Sequence, residues 1–490
     1  LCYNGDYILI DSIPFLDQHL FARGISKNQV SAVFLTHLHD DHCSMFPLMM
    51  MPHRVEIITT KEIYSMAMDK LACSLGWEIS VIQEHFKLVE VVPGKSINYY
   101  GLTIDPHITV HSIPTIGATF STIHKGYTKQ LCIVGDNHSM DAIQQMNKAG
   151  QVRDETVRCL ESLYSQRFNM LVADGGAGGI HGDPGDALKS QSDRVVFVHV
   201  EELSNDFNTT FSLASSGKRY SVIDGDPSIY TSQVSHYLNI WLGKPFPNRW
   251  MRSLLADEEI RRYNTEDVII VQDTETRGYV YLILTGYCDV VSHDGKEFST
   301  VAKLQAGDII GEMAVITGAT MRNASVVATT PVTVCVFAEE TFSSFIDAEG
   351  FREELLGRWE IRPLIANLPQ FSSLSSTVIE KIGRIGKLQK FEAGTILTPS
   401  HDTWYILVNG EAKQGDHILS IACEFGWQPL ATTNCNSVSF DTSTTLLQFN
   451  KIDFEELRLA APQLNYLLRK FRINEDASNS DWLLDLVSIN

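Results

Sequence analysis

Thr36-His37-Leu38-His39-Asp40-Asp41-His42 crowds three imidazoles and neighbouring carboxylates onto one turn, directly after the apolar run Ala32-Val33-Phe34-Leu35. Imidazole nitrogens and carboxylate oxygens are the donors that borderline-soft Zn2+ prefers. A loop with no metal to hold has little reason to gather them, so the HxHxDH spacing points to a metal centre. Other chemistry-bearing residues stand at the ends of apolar runs. Asp11 closes Tyr7-Ile8-Leu9-Ile10, and His111 opens His-Ser-Ile-Pro-Thr-Ile-Gly. Asp136 sits in Gly135-Asp136-Asn137 after Leu131-Cys132-Ile133-Val134, and His199 follows Val195-Val196-Phe197-Val198. One strand-end His is more often structural than a ligand, but several arriving in order reverse that reading. His181 lies in Gly179-Ile180-His181-Gly182-Asp183, a Gly-rich loop after the run that ends at Asp174. His53, His85, His107 and His124 show no partner pattern, and His138 is expected to point away from Asp136.

The elements that must position these residues are legible as texture. Residues 1–240 alternate short, nearly continuous apolar runs with helical patterns, as in Lys61 to Leu75 and Ser139 to Tyr164. Continuous apolar runs suit strands buried on both faces, and the alternation predicts a layered α/β domain. Gly243-Lys244-Pro245-Phe246-Pro247 reads as a boundary. From Val268 to about Phe345 the chain turns to short strands with Gly turns, then helix to about residue 370. The same order recurs from Leu374, with a helix over Ser376–Ile385 and then Trp404-Tyr405-Ile406-Leu407-Val408-Asn409-Gly410 against Tyr279-Val280-Tyr281-Leu282-Ile283-Leu284-Thr285-Gly286. The repeat of roughly 110 residues exceeds solenoid periods, so two related β-rich domains in tandem are expected.

Composition narrows the function classes. The 490 residues suggest about three domains, and 44% hydrophobic with 20% charged residues is ordinary for a soluble chain. No apolar run approaches the ~20 residues that span a bilayer, so no membrane partner is expected. No signal peptide is read, and because the chain opens on Leu1 a targeting segment ahead of it stays open. The nine cysteines are scattered, odd in number and free of CxxC pairs, which favours a reducing cytoplasm. The formal net charge of −20 repels long polyanions, so no nucleic-acid partner is expected, while a local positive pocket can still take a small anion.

The HxHxDH motif, its strand context and the later strand-end residues resemble the metallo-β-lactamase superfamily over about half of the chain. The resemblance implies that His37, His39 and His111 hold one metal, that Asp41, His42 and His199 hold a second, and that Asp136 bridges them. Asp11 is then a support for the ligands. Two Zn2+ are implied, with Mn2+ or iron as alternatives. Asp41, Asp136 and His181 are the implied catalytic residues. Phosphodiesterase members often carry a helper His on a loop like that of His181, against the plainer alternative of a surface His.

Residues 250–355 resemble a cyclic nucleotide-binding domain. The carrying stretch is Gly307-Asp308-Ile309-Ile310-Gly311-Glu312-Met313-Ala314-Val315, followed by Met321-Arg322-Asn323-Ala324-Ser325-Val326. By that resemblance Gly311 lets backbone approach the ligand, Glu312 accepts from the ribose hydroxyl and Arg322 pairs with the cyclic phosphate, with Asn323, Ala324 and Ser325 completing the cassette. Asn323 leaves the choice between cAMP and cGMP open. Residues 365–470 look like a second, degenerate copy, in which Gly426 is followed by Trp427 and no Arg lies between Lys413 and Lys451. Without a cation, burying a cyclic phosphate is costly, so this copy is expected not to bind one.

The expected architecture is therefore an α/β metallo-β-lactamase αββα sandwich over 1–240, then two β-barrel (jelly-roll) cyclic nucleotide-binding domains over 250–355 and 365–470. The expected activity is a phosphodiesterase with cyclic nucleotide as both substrate and effector. The competing expectations are an RNA phosphodiesterase resembling the tRNA 3′-processing enzymes, another ester hydrolase, and a non-catalytic nucleotide receptor. Residues 112–135 leave no room for the long substrate-binding arm of the RNA enzymes. A homodimer is expected only by analogy with regulated hydrolases.

Overall fold

Apolar, β-branched runs form the central strands, as their composition requires. In the computed structural model, which describes residues 1–478 except 4, 177–178, 205–206, 208–209, 224, 226–227, 257–258, 277 and 294, Asp6–Ile10, Val30–Phe34, Glu56–Thr59 and Lys87–Glu90 lie side by side and parallel. Cys2–Tyr3 pairs antiparallel at the edge of this sheet. Val33, Phe34, Ile57 and Ile58 are fully buried.

A second sheet has the order Ser212–Leu213, Val195–Val198, Met170–Asp174, Tyr127–Ile133, Ile116–His124, Leu102–Ile108, Ile97–Tyr99. Its first four strands are parallel and the rest antiparallel. Phe34 of the first sheet meets Phe120 of the second edge-on, with ring centroids 5.4 Å apart, so the two sheets pack face to face. Helix Lys61–Leu75 packs on the first sheet, while Met140–Lys148 and Asp154–Ser165 bury Ile143, Leu160 and Leu163 against Cys132, Leu171 and Phe197 of the second. The result is the expected αββα order.

The single helical stretch read over Ser139 to Tyr164 is two helices. Ser139 starts the first by accepting from the Ala142 amide at 3.3 Å. Gly150 ends it at φ 75°, a left-handed conformation that costs Gly little. Asp11, His37, Asp136, Asp174 and His199 all stand at or just beyond the carboxyl ends of parallel strands, where open α/β sheets place their ligands.

After residue 258 the chain forms sheets that occur in matched pairs. One pair has the orders Glu259–Tyr263, Val332–Ala338, Tyr279–Thr285, Ile309–Ile310 and Val268–Ile270, Ser325–Ala328, Tyr287–His293, Phe298–Gln305. The other has Lys387–Phe391, Thr444–Asn450, Thr403–Asn409, Glu424–Gly426 and Ile396–Leu397, Val438–Phe440, Ala412–Gln414, His417–Leu419. The strand order is the same in both, so the tandem repeat read from the sequence is two copies of one β-sandwich. Helices Glu339–Ala348, Arg352–Asn367 and Ser376–Ile385 connect them.

The chain divides into two compact units. The first holds Leu1–Leu16, Val30–Met45 and Val55–Ile229, and the second holds Asp17–Gln29, Phe46–Arg54 and the chain from Tyr230 onward. Among the described residues no helix is long and apolar enough to cross a membrane.

Candidate metal centre and nucleotide cassette

The HxHxDH turn leaves the strand Val30–Phe34 through Leu35 and Thr36. Asp11 fixes its geometry. One carboxylate oxygen accepts from the Thr36 amide at 2.7 Å, and the other accepts from Thr36 Oγ1 at 2.8 Å and lies 2.7 Å from His42 Nδ1. That contact ties up Nδ1 and aims His42 Nε2 at the centre of the site. Asp11 takes φ 63° and His199 φ 61°, strained values for residues with a Cβ, and such strain gathers at functional sites. Gly135, at φ 82°, precedes Asp136 because a Cβ there would lie 2.9 Å from the Ile116 carbonyl oxygen.

His37 is fully buried, and its Nε2 lies 3.1 Å from His39 Nδ1, which lies 3.1 Å from His111 Nε2. Asp136 Oδ2 stands 3.7 Å from His37 Nε2, 3.8 Å from His111 Nε2 and 3.5 Å from His42 Nε2. Its Oδ1 stands 3.8 Å from His199 Nδ1. Donors at 2.0–2.1 Å around a tetrahedral Zn2+ are about 3.3–3.4 Å from one another, so this spacing fits a metal cage. Among the described residues three groups gather atoms within 4.8 Å of one another: His37, His39 and His111; Asp11, His37 and His42; Asp136, Asp174, His181 and His199. Asp41 is the outlier of the candidate ligands. It is 76% exposed, with its Oδ2 3.6 Å from His42 Nε2, and it belongs to none of the three groups.

Cation binding needs neutral imidazole and ionised carboxylate, a state that the surroundings favour at His37, His111 and Asp174 and oppose at His42 and at His199, which its hydrogen bond to Asp174 raises. Burial, then the neighbouring imidazoles of His42, His111 and His39, drive His37 down to about 2. Burial also lowers His111. For His42, burial disfavours the charge, but the hydrogen bond and charge of Asp11 outweigh it and raise the group. For Asp174, burial is outweighed by hydrogen bonds from His199, His181 and the Gly176 amide, and the carboxyl falls to about 2.

Asp174 is a site residue that the sequence reading passed over. Its Oδ2 lies 2.8 Å from His181 Nδ1, and its Oδ1 lies 3.3 Å from His199 Nδ1. The signal was present, since Asp174 closes an apolar strand as Asp136 nearly does. With Nδ1 held by Asp174, His181 keeps Nε2 free for proton transfer, and its ring lies 4.8 Å from that of His199. His138, expected to point away, is buried with its Nδ1 3.0 Å from the Gly179 carbonyl, which anchors the loop carrying His181. His111 Nδ1 reaches the Ile180 carbonyl of the same loop at 3.1 Å.

In the first β-sandwich Gly311 takes φ 86° at the start of helix Glu312–Thr317, and a Cβ there would lie 2.8 Å from Arg322 Nη1. Arg322 is buried and donates to the Gly311 and Tyr279 carbonyls, both at 3.1 Å. Ser325 Oγ accepts from the Gln272 amide at 2.9 Å, Asn323 is exposed and Ala324 is half-buried. Burial pushes Glu312 up to about 7, opposed by Arg362 and helped by Glu380 and Asp308.

The second copy shows what the Arg replaces. Tyr281 pairs with Ile310 as Tyr405 pairs with Phe425, which sets Gly426 in the place of Gly311 and Trp427 in that of Glu312. Here the Gly426 carbonyl accepts from the Asn434 amide at 2.9 Å, and the Gly426 amide donates back to the Asn434 carbonyl at 2.6 Å. A closed backbone bridge occupies the position that the guanidinium holds in the first copy.

Residues 1–121, which hold the HxHxDH turn and His111, match the family model for the metallo-beta-lactamase superfamily. Residues 260–349, which hold Gly311, Glu312 and Arg322, match the family model for the cyclic nucleotide-binding domain. No curated protein matches the chain. Among solved structures, the metallo-beta-lactamase fold protein YhfI from Bacillus subtilis is similar at 17% identity over 44% of this chain and 88% of its own, with a TM-score of 0.32. The regulatory domain of Toxoplasma gondii PKA, crystallised with cAMP, is similar at 13% identity over 50% of this chain and 98% of its own, with a TM-score of 0.26. A cyclic nucleotide-binding domain from Methylobacillus flagellatus is similar at 27% identity over 27% of this chain and 75% of its own, with a TM-score of 0.23. The chain thus carries a metallo-β-lactamase superfamily domain on its N-terminal side and a cyclic nucleotide-binding domain after it.

Proposed function

We propose that this chain is a dinuclear metal-dependent phosphodiesterase that hydrolyses a 3′,5′-cyclic nucleotide to the nucleoside monophosphate and is regulated by cyclic nucleotide at residues 250–355. The observation that carries the reading is the Asp136 carboxylate, which faces His37, His42 and His111 through one oxygen and His199 through the other, at 3.5–3.8 Å. In this reading His37, His39 and His111 would hold one cation and His42, His199 and Asp41 the other, with Asp136 shared between them. Zn2+ suits these donors, and Mn2+ or iron suits them as well. Bound there, the cations would supply a nucleophilic water at neutral pH and neutralise phosphodiester oxygens.

The chain's own groups do the rest. Water oxygen adds to phosphorus and gives up a proton to solvent, one ester P–O bond of the ring breaks, and the leaving alkoxide takes a proton from His181, which solvent then restores. Asp174 orients His181 for that transfer. Gly311, Glu312 and Arg322, with Asn323, Ala324 and Ser325, form the effector site. Arg322 is the group for the cyclic phosphate, and it must exchange a carbonyl partner for the ligand.

The effector half is tested by calorimetry with cAMP and cGMP on the parent and on Arg322→Ala. The parent is expected to bind and the variant to lose about 10–100-fold in affinity, as removal of a charge-assisted pair implies. Equal affinity in both would overturn the assignment. Cleavage of structured tRNA at physiological salt, with cyclic nucleotide left intact, would overturn the substrate half in favour of the RNA reading.

A further inference from the structure

The second unit takes two of its segments, Asp17–Gln29 and Phe46–Arg54, from within the hydrolase sequence. The first is bonded to the nucleotide-binding sandwich at several points. Ser26 is fully buried, and its Oγ donates to the Gly286 carbonyl at 3.1 Å and accepts from the Ala306 amide at 3.0 Å. Asn28 Nδ2 donates to the Ala306 carbonyl at 2.8 Å and to Thr377 Oγ1 at 3.0 Å. Gln29 Nε2 reaches the Leu284 carbonyl at 3.3 Å. Ala306 leads directly into Gly307-Asp308, where the cassette begins.

Helix Ser376–Ile385 joins the cassette to both segments. Its Ser376 Oγ donates to Asp308 Oδ2 at 3.3 Å, and its Thr377 Oγ1 accepts from Gln305 Nε2 at 3.1 Å as well as from Asn28. Farther along, Lys381 Nζ donates to the Pro52 carbonyl at 2.9 Å. The Met51 carbonyl accepts from the Gln463 amide at 3.1 Å, and Leu48, Met49 and Met51 are fully buried. Cassette entry, helix and both segments are therefore one hydrogen-bonded body. Packed bodies of this kind move between discrete arrangements instead of deforming smoothly.

Chain connectivity supplies the consequence. The segment Asp17–Gln29 continues from Asp11, the residue that orients His42 and Thr36. The segment Phe46–Arg54 continues from His42 through Cys43, Ser44 and Met45. A shift of the body carrying the cassette therefore pulls on the chain at both ends of the ligand set that the HxHxDH turn supplies. Metal–ligand distances keep within about 0.2 Å of their ordinary values, so the donor set leaves little room for displacement.

We propose that Asn28 and Lys381 are positioning residues through which occupancy of the nucleotide cassette sets the metal affinity of the His37–His42 turn. This rests on the reading that the cassette binds cyclic nucleotide. Thermodynamic linkage then makes the effect reciprocal, so bound metal changes nucleotide affinity by the same factor.

The test uses the full chain stripped of metal. Zn2+ affinity is measured by competition with a chromophoric chelator, with and without saturating cAMP or cGMP. Nucleotide affinity is measured by calorimetry in metal-free and zinc-loaded protein. The expected result is a change of about 5–150-fold in Zn2+ affinity and an equal change in nucleotide affinity. Lys381→Met and Asn28→Ala are each expected to bind both ligands singly while the mutual effect falls below about twofold. If Lys381→Met does not fold, the half-exposed Asn28 carries the comparison alone. Nucleotide binding that leaves Zn2+ affinity unchanged overturns the coupling and spares the effector site. No nucleotide binding overturns both, and undiminished coupling in the variants overturns the role of these two residues.

Discussion

Asp136 stands within 3.8 Å of four imidazoles that the chain gathers from three separate stretches, so its removal leaves those imidazoles facing one another with no shared anion. Asp136→Ala is expected to lose bound metal, by elemental analysis, and all turnover above background. Asp11→Asn acts one step farther out, through His42 and Thr36, and is expected to lower metal affinity or activity by about 10–100-fold. His181→Ala should keep its metal and lose about 10²–10⁴ in turnover, which separates proton transfer from metal binding. A variant that also loses metal would make His181 a ligand, an outcome its grouping with Asp136, Asp174 and His199 allows. At this scale the sequence was informative because His and Asp, residue types able to hold a metal, recur at strand ends and the fold brings them together. Asp174 escaped because a single Asp at a strand end has no motif around it, and its two histidine partners arrive only with the fold. The charges acting on Glu312 escaped for a related reason, since Arg362 and Glu380 come from helices far along the chain.

Elements hold these residues by backbone conformation as much as by packing. Gly135→Ala would force a Cβ onto the Ile116 carbonyl at φ 82°, and the strain is expected to cost about 1–3 kcal/mol, read as a lower melting temperature. The cassette helix Glu312–Thr317 carries a pH signature. Glu312 is pushed to about 7 in the folded chain from an ordinary value of 4.5, so folding retains its proton where the unfolded chain has lost it. That contribution to stability is complete below the unfolded value and is lost as pH rises through about 7. Melting temperature is therefore expected to fall between about pH 5 and pH 8, and Glu312→Gln to flatten that slope, with Asp308 supplying what remains. An unchanged slope in the variant would remove Glu312 as its source. Strands were legible here because their apolar runs are continuous and the repeat preserves them. The break between Met140–Lys148 and Asp154–Ser165 was not read, because Gly150 sits inside a pattern whose hydrophobic spacing continues across it.

At the scale of the molecule, one chain joins a hydrolase fold to a cyclic nucleotide-binding domain and a second copy of the same β-sandwich, closed by its Gly426–Asn434 bridge. The order of these parts followed from texture along the sequence. That Asp17–Gln29 and Phe46–Arg54 belong to the second unit did not, because hydropathy reports that a segment is buried and not which body buries it. The central claim is that the centre around Asp136 cleaves cyclic nucleotide. It is met most directly by turnover of 3′,5′-cAMP and 3′,5′-cGMP in metal-analysed protein, beside bis(p-nitrophenyl) phosphate and an Asp136→Ala blank. The account expects conversion of at least one cyclic nucleotide to its monophosphate, abolished in the blank. Cleavage of the generic diester with both cyclic nucleotides untouched would contradict it, leaving the metal chemistry in place and cyclic nucleotide as an effector alone.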